Sequence, residues 1–182
     1  MEFNEVLKGR RSIRQFTDEK VSHETIEKIV EAARFSPTWK NSQTVGYVVV
    51  EDRAILNKIA DQGVMGHPNN AKIIRGAQQL VVVTSQKNIC GYNPDGTFTT
   101  NKGNEWQMFD AGIAAHAFTL AAYDNGVASV ILGIFSDEKV AEIIGLDESK
   151  TVSTLIPIGY ANGEPRPFKR KEVSEYLSFI PE

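Results

Sequence analysis

Three arginines crowd one short stretch, GRRSIRQF (residues 9–16), in a chain whose formal net charge is −3. Arg10, Arg11 and Arg14 surround Ser12. If residues 10–14 are extended, Arg10, Ser12 and Arg14 share one face, and Arg11 and Ile13 take the other. Two guanidinium forks with a hydroxyl between them match the acceptor oxygens of a phosphate group. The plain alternative is a solvated strand whose arginines pair with nearby acids. A second polar cluster, SPTWKNSQT (36–44), sets Pro37, Thr38, Asn41 and Gln43 around Trp39. Short hydrogen-bonding groups beside an indole suit a planar heteroaromatic ring; the alternative is a polar loop with a tryptophan plugging the core. A third, PRPFKRK (165–171), holds four cations in seven residues. It is either a second clamp on the same anion or a solvated basic tail.

Other chemistries find little footing. His23, His67, His116 and Cys90 show no metal-ligand spacing. There is no GxSxG elbow, Walker A loop or GxGxxG turn. Cys90 has no CxxC partner and no evident activating neighbour. His116 reads as a hydrogen-bonded core residue and His67 as a loop residue. Asp110 is expected to pair with an arginine or cap a loop.

Composition sets the frame. The chain has 182 residues, 41% hydrophobic and 24% charged, which fits one domain over 1–182. Mild acidity argues against nucleic-acid or membrane affinity. A single cysteine permits no internal disulfide and suits a cytoplasmic location. MEFNEVLKGRR lacks the order of a signal peptide, and AGIAAHAFTLAAY (111–123) is too short to span a bilayer. A soluble, unprocessed chain is expected.

The elements that must position these groups read as alternating helices and strands. A short helix over 3–8 ends at Gly9, which can supply a left-handed cap. Apolar residues at Ile26, Ile29, Val30 and Ala33 predict a helix within 21–35, capped by Ser22, stapled by Val21 and Ile26, and stopped by Pro37. Strands are expected at 45–52, 79–85, 127–135 and 153–161, and helices at 53–62, 69–75, 104–126 and 136–145. Residues 88–103 read as a long loop. The helix over 104–126 is apolar on nearly every face, so it should be central and buried, in a core or a subunit interface.

The order RRSIRQF, ARFSPTWKNSQ, a buried helix carrying DAG, ASVILGIF and IGYANGEPRPFKR resembles the FMN-dependent nitroreductase family along almost the whole chain. The resemblance implies an α+β fold, with a central, mostly antiparallel sheet flanked by helices, in an interlocked homodimer sharing two FMN sites. It implies that Arg10, Arg11, Ser12 and Arg14 hold the phosphate, ribityl chain and pyrimidine end. Arg14 would sit by flavin N1 and O2, where a cation raises the reduction potential. Pro37, Thr38, Trp39 and Asn41 would reach the ring from the other subunit, and Asn70 its pyrimidine edge. Leu132 and Gly133 would lie near N5, and Lys169 with Arg170 would complete the phosphate clamp. NAD(P)H would be the transient donor and a small conjugated molecule (a nitroaromatic or quinone) the acceptor, in ping-pong turnover. The flavin performs the chemistry and no side-chain nucleophile is implied. Three positions depart from the family pattern: Thr44 stands where proline commonly follows the glutamine, Trp39 where small residues are frequent, and ILGIF lacks a tryptophan before its glycine. The reading from another class is a non-catalytic anion- or nucleotide-binding module, which would bind flavin without turnover or not at all.

Overall fold

The computed structural model describes residues 1–165 and 168–180; Arg166 and Pro167 of the basic tail segment lie outside the described residues. Four strands, β1 (Val45–Val50), β2 (Gln79–Gln86), β3 (Ala128–Ser129) and β4 (Lys150–Gly159), form one sheet in the order β1-β2-β4-β3. Every neighbouring pair is antiparallel. The helices are α1 (Phe3–Gly9), α2 (His23–Ala33), α3 (Arg53–Lys58), α4 (Pro68–Gly76), α5 (Glu105–Asp124) and α6 (Asp137–Ile144). The chain is thus α+β with an antiparallel central sheet.

Helices cover both faces of the sheet. Leu80 and Val82 of β2 face a core built with Leu56, Ile59, Ile74, Val140 and Leu155. Val81 and Val83 face the opposite core, with Ile26, Ile29, Phe118, Ala122, Ile156 and Ile158. A strand buried on both sides needs apolar residues at successive positions, which explains the unbroken run LVVV. Fully buried Gln79 ties the layers at one end. Its side-chain oxygen accepts the Val21 N–H at 2.8 Å, and its amide donates to the Val21 carbonyl at 2.9 Å and to Glu51 at 2.7 Å.

Local signals hold at most helix ends. Ser22 accepts the Thr25 N–H at 3.1 Å, Ser136 the Lys139 N–H at 3.2 Å, and Asp52 two amides at the start of α3. His67 is the N-cap of α4, its Nδ1 accepting the Asn70 N–H at 3.2 Å. The helix expected over 53–62 ends as α-helix at Lys58 and continues as a π-turn, Ile59–Gly63.

Three expectations need correction. Gly9 supplies no left-handed cap; it is the last residue of α1, and the following Arg10 has φ −54°. Gly9 packs under the phenol of Tyr123, which would have to shift to admit a Cβ there. The strand expected over 127–135 shrinks to Ala128–Ser129, with one further bridge between Leu132 and Leu155. Its partner β4 carries Pro157, which accepts the Val130 N–H at 3.4 Å but has no N–H to return. The ladder is therefore half-made at that point, and the chain leaves it. Finally, α5 is not buried all round: His116, expected as a hydrogen-bonded core residue, is exposed, as are Met108, Phe109 and Gly112, whereas Asp110, Ala111, Ala114, Ala115, Phe118, Thr119 and Ala122 of the same helix face inward.

Candidate functional site

The arginine segment is stitched to the β3 edge of the sheet. Ser12 bridges Ser129 in parallel, the Ile13 N–H donates to the Ser129 carbonyl at 3.0 Å, and the Thr17 N–H donates to the Tyr160 carbonyl at 2.9 Å. Phe16 anchors the far end, buried against Gly159. Arg10 and Arg11 share one cleft of about 440 Å³ with Ile13, Tyr123, Ser129 and Glu164. Ser12 and Arg14 line its neighbour, with Asn162, Glu164 and Phe168. Ile13 lines both clefts, so the arginine segment runs along two adjoining clefts.

Charge in this region is uncompensated. Burial, then the positive charges of Arg11 and Arg170, weakens the hold of Arg10 on its proton relative to an ordinary guanidinium. None of Arg10, Arg11, Arg14, Lys169 or Arg170 takes part in an ion pair among the described residues. Glu164 lines both clefts without forming one. Arg11 turns back to donate to the carbonyls of Lys8 and Arg10, and Arg14 donates to the Ser12 carbonyl at 3.3 Å. Like charges drawn together at a half-buried site favour a bound anion with several acceptor oxygens. Arg170 joins this cluster across the whole sequence, whereas Lys169 is not among the charges acting on Arg10.

Pro37, Thr38 and Asn41 lie elsewhere. They line a groove of about 780 Å³ with Phe35, Gln43, Val45, Tyr47 and Ala114, between the end of α2, β1 and α5. Lys40, Asn41 and Gln43 all adopt positive φ, at 47°, 55° and 51°. Left-handed backbone costs an L side chain roughly 1–2 kcal/mol per residue, so the loop needs outside support. Its own bonds include Gln43 N–H to Thr38 Oγ1 at 3.0 Å. The external support is Asp110 on α5, whose Oδ2 accepts the Trp39 N–H at 2.8 Å. Trp39 packs on Trp106 with ring centroids 4.7 Å apart, and Trp106 meets Phe109 edge-on.

Asp110 thus caps a loop and enters no ion pair with an arginine among the described residues. Cys90 donates its S–H to Asp110 at 3.2 Å and contacts the hydroxyls of Thr44 and Ser42 at 3.1 and 3.4 Å. Burial pushes the Cys90 thiol up, and Asp110 adds to this against the two hydroxyls. The thiolate a nucleophile needs is disfavoured.

The remaining candidates lie around the segment after β3. Leu132 is buried, its N–H donating to the Leu155 carbonyl at 2.8 Å. Gly133 lines a third cleft, about 470 Å³, with Met108, Gly112, Ile131, Phe135 and Thr154. Asn70 is buried, and its amide donates to the Ile134 carbonyl at 3.0 Å, which pins the 132–134 segment. Sequence reading missed Tyr123 beside the arginines and Tyr47 in the Pro37 groove. Both sit on regular elements with no motif to mark them, and only packing brings them there.

The arginine segment borders β3 and the Pro37 loop leads into β1, the two outer strands of the sheet. Three strand spacings, roughly 14 Å, separate those edges. No helix among the described residues is long and apolar enough to cross a membrane.

Known proteins share this architecture. A solved structure of a nitroreductase family protein from Clostridium novyi superposes with TM-score 0.76 at 25% identity, covering 89% of this chain and 86% of that one. The FMN-dependent nitroreductase of Clostridium difficile R20291 shares the fold with TM-score 0.78, at 24% identity over 97% and 98% of the two chains. An Archaeoglobus fulgidus protein, provisionally named an NADH dehydrogenase/NAD(P)H nitroreductase, is 30% identical over 159 residues, spanning 85% of this chain and 83% of the relative. The sequence model of the Nitroreductase family matches residues 7–160. With its motifs, sheet and helices all following that pattern, the chain belongs to the nitroreductase family.

Proposed function

We propose that the chain is an NAD(P)H-dependent flavin oxidoreductase, one FMN-binding domain over residues 1–182 that works as a homodimer with two shared sites. The observation that carries this is the cluster of Arg10, Arg11 and Arg170, drawn together without acidic partners among the described residues. Such a cluster fits the terminal phosphate of FMN. The placement of the arginine segment and the Pro37 loop at opposite edges of the sheet supports the dimer, in which each flavin takes the arginines from one chain and the loop from the other. The exposed apolar stripe of α5 (Met108, Phe109, Gly112) suits the contact between them.

When bound, FMN supplies two-electron chemistry, passing electrons from NAD(P)H to a conjugated acceptor such as a nitroaromatic or quinone, in ping-pong order. The chain's own residues do the rest. Arg10, Arg11 and Arg170 hold the phosphate, with Lys169 beside them, and Ser12 reaches the ribityl chain. Arg14 places positive charge at the pyrimidine end, favouring the reduced, more negative ring. Pro37, Thr38, Trp39 and Asn41 wall the ring from the second chain. Gly133, without a side chain, leaves room for flat molecules over the ring, and Asn70 keeps the 132–134 backbone in place. A free, buried thiol at Cys90 suits the reducing cytoplasm.

The test is the visible spectrum of the purified protein before and after anaerobic NADH or NADPH. Peaks near ~370 and ~450 nm that bleach on addition are expected of a reducible flavin. A protein that stays colourless after reconstitution with FMN overturns the reading. One that binds FMN but never bleaches favours a binding module.

A further inference from the structure

The loop that carries Pro37, Thr38 and Asn41 is held in a conformation its own sequence does not favour. Lys40, Asn41 and Gln43 sit at φ 47°, 55° and 51°, and none is glycine. Such backbone persists only where its surroundings over-determine it. Those surroundings are one buried polar knot. Asp110, 2% exposed, enters none of the ion pairs among the described residues. A buried carboxylate without a cation is held in place by hydrogen-bond donors. Two donors converge on its Oδ2: the Trp39 N–H at 2.8 Å and the Cys90 S–H at 3.2 Å. Cys90 then reaches the far side of the loop through Thr44 at 3.1 Å and Ser42 at 3.4 Å. The loop is thereby gripped at residue 39, before left-handed Lys40 and Asn41, and at residues 42 and 44, which flank left-handed Gln43.

Asp110 is carried by α5, the same helix whose outward face bears Met108, Phe109 and Gly112. The carboxylate therefore ties the loop to the rigid element that also borders the Gly133 cleft. We propose that Asp110, with Cys90, is a positioning residue: it touches no ligand, and it holds the 38–43 loop, with Lys40, Asn41 and Gln43 at positive φ, in the form that presents Pro37, Thr38 and Asn41 to the flavin ring. This rests on the functional reading above. It assigns the ring end of the site to the Asp110 knot and the phosphate end to the arginines, and the two ends can be measured separately.

The probes are FMN and riboflavin, which share the ring and differ by the phosphate. Their dissociation constants are read by flavin fluorescence titration of the full chain, stripped of endogenous flavin. Asp110→Ala is expected to weaken both at least tenfold and by the same factor, leaving their ratio as in the parent. Asp110→Asn, which still offers an amide oxygen to Trp39, is expected to recover most of that loss. Lost ring contacts give this common factor; lost phosphate contacts would weaken FMN alone. If folded Asp110→Ala, checked by circular dichroism, binds both flavins like the parent and shows only a lower melting temperature, the assignment is overturned. A loss for FMN alone overturns it too. Should Asp110→Ala not fold, Cys90→Ala replaces it, with an expected common weakening of threefold or more; unchanged constants there sink the proposal. A parent chain that binds neither flavin instead overturns the functional reading, and this inference falls with it.

Discussion

Arg10 shows how a single residue's electrostatics can point to a ligand. An arginine beside two more cations, and in no ion pair among the described residues although Glu164 lines its cleft, is favoured by a bound anion. On the proposed assignment, removing Arg10 and Arg170 together takes two charge-assisted bonds from the FMN phosphate at ~1.5–3 kcal/mol each. Arg10→Ala/Arg170→Ala is therefore expected to retain little FMN after gel filtration and to weaken FMN at least a hundredfold by titration. Full flavin occupancy in that variant would mean the phosphate lies elsewhere. Asp110 teaches a different lesson. It stands out in sequence as an acid in an apolar helix, yet its partner is a backbone N–H seventy-one positions away, which no spacing rule announces.

At the scale of elements, α5 and β1 set the floor of the Pro37 groove. Tyr47 on β1 stacks on Phe118 of α5 with centroids 5.4 Å apart, and its hydroxyl donates to the Ala114 carbonyl at 3.4 Å. Burial pushes the Tyr47 phenol up from 10 to about 12. The sign follows directly. The folded state prefers the neutral phenol, so stability is unaffected below the unfolded value near ~10 and falls as pH rises between that value and the folded one. The loss approaches roughly 2–3 kcal/mol at full ionisation. Tyr47→Phe should flatten the drop in stability between pH 10 and pH 12 in urea titrations. A parent-like alkaline slope in the variant would show that other groups dominate. The 88–103 loop is also settled at this scale. Tyr92 bridges Phe98, the Thr99 N–H donates to the Gly91 carbonyl at 2.8 Å, and Gly91 at φ +86° leaves no room for a Cβ beside the Gly103 carbonyl. It packs on itself and against α5 through Trp106, as Trp106 Nε1 donates to Thr100 at 2.9 Å.

At the scale of the molecule, the C-terminal tail is the least satisfied part of the chain. Val173, Tyr176, Leu177, Phe179 and Ile180 are all exposed, Ile180 at 97%. Five large apolar side chains within eight residues form an exposed apolar stretch of the kind that interfaces use. On the dimer reading, deleting residues 172–182 should shift the protein from dimer to monomer in sedimentation velocity and release its flavin. A truncated chain that stays dimeric with stoichiometric FMN would show that the tail is not part of the interface.

The sequence alone determined the local features. Ser22, Asp52 and Ser136 mark helix starts because each cap is decided within three residues. The run LVVV marks a strand covered on both sides because periodicity is a property of neighbours in the chain. The arginine and Pro37 motifs, read together, named the family. Tertiary structure decided what depends on distant partners. Pro157 cuts short the strand expected over 127–135, because the missing N–H is felt only by the segment paired with it. Gly9 packs against Tyr123 and supplies no cap, and Arg170 reaches Arg10 only through the folded chain. The separation of the arginine segment from the Pro37 loop is fixed by strand order, which sets which residues meet across the sheet and has no counterpart in any local stretch of sequence.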